Sequence, residues 1–107
     1  MVTPISKQPL CYDPGRKKFI YYEELISGIE EIIFPQSLKR EDQKLLVEER
    51  LRSGPSFTVQ AISGMPYTRD ELLEAIDKED EMGKMSIEAE LSMLKDLLEK
   101  ISKEINR

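Results

Sequence analysis

Four carboxylates, Asp77, Glu79, Glu81 and Glu88, fall at positions 1, 3, 5 and 12 of a twelve-residue calcium loop, the places that supply oxygen ligands. The centre of that motif does not follow. Position 6, where the loop turns sharply and needs Gly, holds Met82, Glu replaces the shorter Asp or Asn at positions 3 and 5, and Lys84 brings a cation inside. A solvated helix face accounts for the same acids. The pairs Glu30-Glu31 and Glu48-Glu49 could in principle do acid-base work, which requires a carboxyl whose pKa is displaced by burial or by a convergent neighbour. Both pairs sit on the polar faces of expected helices, where water keeps them ionised.

The remaining inventory is thin. The chain has no histidine, so Ser-His and Cys-His nucleophile pairs and His-containing zinc sites are excluded. Its one cysteine, Cys11, rules out a Cys₄ site and any internal disulfide, and the acidic neighbour Asp13 is expected to raise its pKa and dull its nucleophilicity. No GxxxxGK[ST] loop and no GxGxxG is present, and the five glycines are scattered at turns or breaks. No catalytic, cofactor-binding or metal-binding residue is therefore expected, and the chain reads as non-enzymatic.

The strongest pattern concerns assembly. Ile87, Leu91, Leu94, Leu98, Ile101 and Ile105 are spaced 4-3-4-3-4, the heptad repeat of a helix that lays a narrow apolar seam on another helix. With Ile87, Leu94 and Ile101 at d, Glu90 falls at g and Lys95 at the following e, the pair that bridges helices in a parallel coiled coil. These six residues are the expected partner interface, with a second copy of the chain or a helical segment of another protein as the partner. An intramolecular bundle explains the same spacing, and Met93 and Leu97 widen the apolar face beyond a strict two-helix stripe.

The 107 residues are one domain by size, with 35% charged and 39% hydrophobic residues and a mean hydropathy of −0.46, a helix-rich soluble composition. No run approaches the ~20 apolar residues of a membrane span, and no basic start followed by an apolar stretch marks a signal peptide, so a cytoplasmic protein is expected. The net charge of −5 is unevenly placed. Residues 1–67 hold nine cationic and nine acidic side chains, residues 68–107 seven and twelve, which disfavours phosphate-backbone binding by the C-terminal part.

The elements expected to position these residues form an α+β fold: a small antiparallel sheet, two packed helices and a long C-terminal helical arm. The lead-in Met1 to Pro9 lacks periodicity, and Asp13-Pro14-Gly15-Arg16 predicts a hairpin turn in which Gly15 takes positive φ. Leu25, Ile26, Ile29, Ile32 and Ile33 predict one helix stopped by Pro35. Leu38, Leu45, Leu46 and Leu51 predict a second, ended by Ser53-Gly54-Pro55. Phe57, Val59 and Ala61 alternate with Thr58 and Gln60 as in a strand, and Thr68-Arg69-Asp70-Glu71 is a capping box. A small α+β part, 1–66, thus precedes a helical arm, 67–107, in which Gly83 hinges two helices and Ser86 caps the second, all within one structural unit.

The order strand, helix, Gly-containing turn, helix from Phe57 to Ile105 resembles the ribbon-helix-helix family of DNA-binding repressors and antitoxins. In that family a dimer pairs two strands and places their outward polar residues in the major groove, and Thr58 and Gln60 match those positions. Met82-Gly83-Lys84-Met85-Ser86 loosely matches the turn into its second helix. The resemblance is architectural and covers about half the chain. Ser63 to Pro66 are extra residues, the following helices are acidic, and only Arg50, Arg52 and Arg69 stand near the strand as phosphate contacts, so an assembly module that does not bind nucleic acid is the reading preferred here.

Overall fold

Asp13 organises the first turn. Its Oδ1 accepts hydrogen bonds from the backbone N–H of Gly15 at 3.0 Å and of Arg16 at 3.3 Å, an Asx-type turn that closes a hairpin between β1, Cys11–Asp13, and β2, Lys18–Ile20. The strands pair Cys11 with Ile20 and Asp13 with Lys18. The hairpin is as expected, but its strained residue differs: Lys17, at φ 52°, takes the left-handed conformation, and Gly15 does not. The computed structural model describes residues 8–53, 58–60 and 66–105. The fold is α+β.

The first helix is shorter than its periodicity suggests. α1 runs only over Tyr22–Ile26, because Gly28 at φ 81° ends it and turns its N–H back to the Leu25 carbonyl, a glycine C-terminus. Ile29 is left 72% exposed, whereas Ile32, Ile33 and Phe34 lie against the core as extended chain leading to a 3₁₀ turn at Pro35–Ser37. α2, Arg40–Ser53, follows and ends where expected, burying Leu46, Val47, Arg50 and Leu51. The expected strand appears as β3, Thr58–Gln60, but it joins no larger sheet: it pairs antiparallel with β4, Pro66–Thr68, so the molecule carries two separate two-stranded sheets among the described residues. Phe57 and Ala61 lie outside the described residues.

Thr68 caps α3, Arg69–Lys78, as its capping box predicts: Thr68 Oγ1 accepts from Glu71 N at 3.2 Å, and Glu71 Oε1 accepts from Thr68 N at 3.1 Å. The break before the last helix falls earlier than Gly83. Glu79 adopts the left-handed conformation at φ 51°, and Asp80 then caps α4, Glu81–Ile105, through Oδ1 to Gly83 N at 2.8 Å. α4 is continuous through Gly83 and Ser86. Gly83 is needed for a different reason: a Cβ there would stand 1.9 Å from the Ala75 carbonyl oxygen, so only glycine lets α3 and α4 approach this closely.

α4 spans two groups of buried side chains. Its first half contributes Ile87 and Leu91, which pack with Val47 and Leu51 of α2 and Leu72 and Ile76 of α3. Its second half contributes Leu94, Leu98 and Ile101, which pack with Leu10, Cys11, Tyr12 and Ile20 of the hairpin, Leu25 of α1 and Leu46 of α2. The helical arm is thus a wall of the domain, and the chain's two expected parts share their cores. Gln36 Nε2 ties the 3₁₀ turn to the Leu91 carbonyl at 2.9 Å.

An ionic cluster braces the hairpin. Lys18 Nζ bridges Glu24 at 2.8 Å and Glu30 at 2.6 Å, and Arg16 joins Glu30 to Asp13. Side-chain hydrogen bonds from Arg16 and Lys18 hold the Glu30 carboxyl below its ordinary range; Lys18 does the same for Glu24 and Arg16 for Asp13. Lowered folded-state values mean the unfolded chain binds more protons, so this stabilisation is complete above the ordinary carboxylate range. It is lost as the pH falls through about 4 and below. Urea midpoints measured from pH 7 to 2.5 should fall across that window, and the fall should be shallower in the Lys18→Met variant. A Gly83→Ala substitution should cost about 2 kcal/mol net and lower the thermal midpoint by roughly 8–15 °C, the clash outweighing alanine's better helix propensity. Gly15→Ala, whose nearest contact would be 3.4 Å away, should shift it little.

Candidate functional site

Five of the six seam residues are already covered by their own chain. Ile87, Leu94 and Leu98 have no exposed surface, and Leu91 and Ile101 are 5% and 2% exposed; only Ile105, at 42%, reaches solvent. The expected interface role is thereby corrected for Ile87, Leu91, Leu94, Leu98 and Ile101: a partner helix could reach them only by displacing α2, α3 and the hairpin. Burial of apolar area drives the heptad pattern here as in a coiled coil, with the partner supplied in the same polypeptide.

A second face of α4 remains accessible. Ser86, Ala89, Glu90 and Met93 recur at helical spacing beside the seam and form one wall of a groove of about 280 Å³, whose floor is Val47 and Leu51 of α2 and Leu72 and Ile76 of α3. The floor is nearly all hydrocarbon, while Ala89 is exposed and Met93 is 42% exposed at the rim. The shape exists because Gly83 draws the α3–α4 turn tight and the side chains at positions 86 and 89, Ser and Ala, are small. This volume lies at the lower edge of ligand pockets and suits one or two aliphatic side chains.

Behind that wall stands the one buried cation of the described residues. Arg50, 5% exposed, donates from Nη1 to the Pro9 carbonyl at 2.9 Å, and its own carbonyl accepts from Gln8 Nε2 at 2.7 Å, so it straps the start of the described chain to α2. Its Nε is 3.5 Å from Glu90 Oε2 but has no hydrogen-bonding acceptor. Burial pulls the guanidinium's pKa down, and the Glu90 charge opposes that pull. At sequence level Arg50 reads as a phosphate contact; the signal missed there is that Arg50 shares the buried stripe of α2 with Leu46, Val47 and Leu51.

A second concavity, of about 500 Å³, lies between the hairpin turn and α2, lined by charges of both signs that include Lys17, Asp42, Lys44, Glu48 and Asp77. Burial raises the pKa of Glu48, with Arg52 opposing most strongly. Two acids of the calcium-loop count are taken up by cations instead: Arg40 bridges Glu79 at 3.2 Å and Glu88 at 2.9 Å, and Lys44 stands 3.5 Å from Glu79. Among the described residues no three Cys, Asp or Glu groups converge as metal ligands. Cys11 is fully buried in the hairpin core, and that burial, rather than Asp13, pushes its thiol from 9.0 up to about 11.

The strand-helix-helix order does not hold for Thr58 and Gln60. The chain returns as β4 before α3, so β3 already has an antiparallel partner within its own chain, with Thr58 opposite Thr68 and Gln60 opposite Pro66. None of the described helices is long and apolar enough to cross a membrane. No protein-family model matches the chain, and neither any curated protein nor any solved structure matches it.

The Arg50–Glu90 pair makes a quantitative expectation. Glu90→Gln should destabilise the fold by about 1–3 kcal/mol, because it leaves a buried guanidinium without its counter-charge. In an Arg50→Met background the same change should cost almost nothing. A double-mutant cycle by urea denaturation measures the difference directly.

Proposed function

We propose that this chain is a protein–protein docking module that binds through its C-terminal helix, using the Ser86, Ala89, Glu90 and Met93 face and the groove beside it. The observation that carries the reading is the groove itself: Val47, Leu51, Leu72 and Ile76 form an apolar floor beneath an open rim. Seating one aliphatic side chain there removes enough apolar surface from water to contribute about 1.5–3 kcal/mol. That is an anchor, to be supplemented by rim contacts, and it fits the hot-spot pattern of interfaces in which few side chains dominate.

A binding role rather than a catalytic one is supported by how the reactive groups are placed. The only thiol is buried with a raised pKa, and Glu24, Glu30, Glu79 and Glu88 are engaged by Lys or Arg. The lone reduced cysteine is also in keeping with a cytoplasmic setting. The occupant is a segment of another protein or of a second copy. Nucleic acid is disfavoured by the acidic balance of the helices that form the site.

Site-specific photocrosslinking in the native host tests this. A photoreactive side chain at Ala89 should give a discrete adduct, absent when the probe is moved to the exposed Lys100 and lost when Met93→Asp is added. Equal adducts from both positions, or none from Ala89, would remove the groove as a docking site.

A further inference from the structure

Glu90 is the sole ionisable group among the described residues that line the groove. Its side chain keeps 24% of its surface in contact with solvent. A carboxylate offers about four lone-pair sites on two oxygens. Among the described residues the one ion pair of Glu90 is with Arg50, whose Nε stands 3.5 Å from Oε2 without a hydrogen bond by geometry. The groove therefore presents an apolar floor with a partly exposed carboxylate on its wall.

Resting on the docking role proposed above, we infer that the groove's ligand is a cationic amphipathic segment of a partner protein: an aliphatic side chain against Leu51, Leu72 and the exposed Met93, and a Lys or Arg head on Glu90. An acidic segment would bring a second carboxylate toward Glu90 as water leaves the groove, which is costly and selects against it. The chain's net charge of −5 steers cations toward it over the same range. Spacing favours a helix as the ligand, because Glu90 and Met93 lie on one side of α4 and a partner helix presents apolar and cationic groups three or four residues apart.

Two labelled model peptides test this on the full chain. They share one leucine face and carry either lysine or glutamate at the flanking positions. Titration by fluorescence anisotropy at 150 mM salt is combined with mapping of the chain's amide resonances. The lysine peptide should bind about three- to tenfold tighter than the glutamate peptide, with shifts centred on residues 86–93 and 47–51. Ser86→Lys, which sets an ammonium four residues before Glu90 on the same helical face, should remove that preference without unfolding the chain. Ala89→Trp should block both peptides.

If both peptides bind the groove equally and Ala89→Trp blocks both, docking stands and the charge inference fails. If the lysine preference survives Ala89→Trp, general surface attraction explains it and the inference fails. Self-association of the free chain through the same residues assigns the groove to a second copy and overturns the cationic partner. If neither peptide shifts the groove resonances, the inference and the docking reading fall together.

Discussion

The need of α4 to bury a seam that repeats every three and a half residues governs the rest of the fold. Only α4 and α2 contribute to both groups of core residues among the described elements, and α3 and the hairpin bury their apolar faces by lying against these two helices. α3 contributes Leu72 and Ile76 to the first group, the hairpin contributes Leu10, Cys11 and Ile20 to the second, and α2 supplies both. The two sheets, each of two strands, could not be stable alone in water; they gain stability from the helices they adjoin.

Polar groups in this small domain act mainly as fasteners where hydrocarbon is scarce. Arg40 and Lys44 hold Glu79 in a left-handed conformation that a non-glycine residue adopts at some cost, and so secure the tight turn between α3 and α4. Arg50 does the same for the chain entering at Gln8. The Arg50 contact also bears on the groove: the floor is fixed by packing, and the Glu90 wall is backed by a guanidinium that cannot move away without leaving the Pro9 carbonyl.

Local chemistry was legible wherever it acts over three or four residues. The Asp13 turn, the Thr68 capping box and the end of α2 at Ser53 follow from side chains that bond their own backbone or from residues that cannot continue a helix. The α+β class followed from the two periodicities. What pattern could not show was where the seam would find its partner, since the same spacing serves a neighbouring chain and a neighbouring segment equally. Gly83 was read as a hinge because glycine weakens helices; its use in a close crossing of α3 depends on Ala75, which is near only in space. Asp80 carried a cap signal three residues before Gly83, but Ser86 before the apolar seam was the more obvious choice. The groove draws its walls from three helices, and no spacing along a single one of them points to it.

The division of the α4 seam between two cores makes the helix a phase reference for the molecule. Each residue advances the helix by about 100°, so one residue inserted between Leu91 and Leu94 would rotate Leu94, Leu98 and Ile101 away from the hairpin while Ile87 and Leu91 stayed in place. A change of length that an exposed loop absorbs without penalty would here set the two halves of the domain out of step. The chain between Ile87 and Ile101 is consequently the segment in which side chains can be exchanged for others of similar size but the number of residues cannot vary.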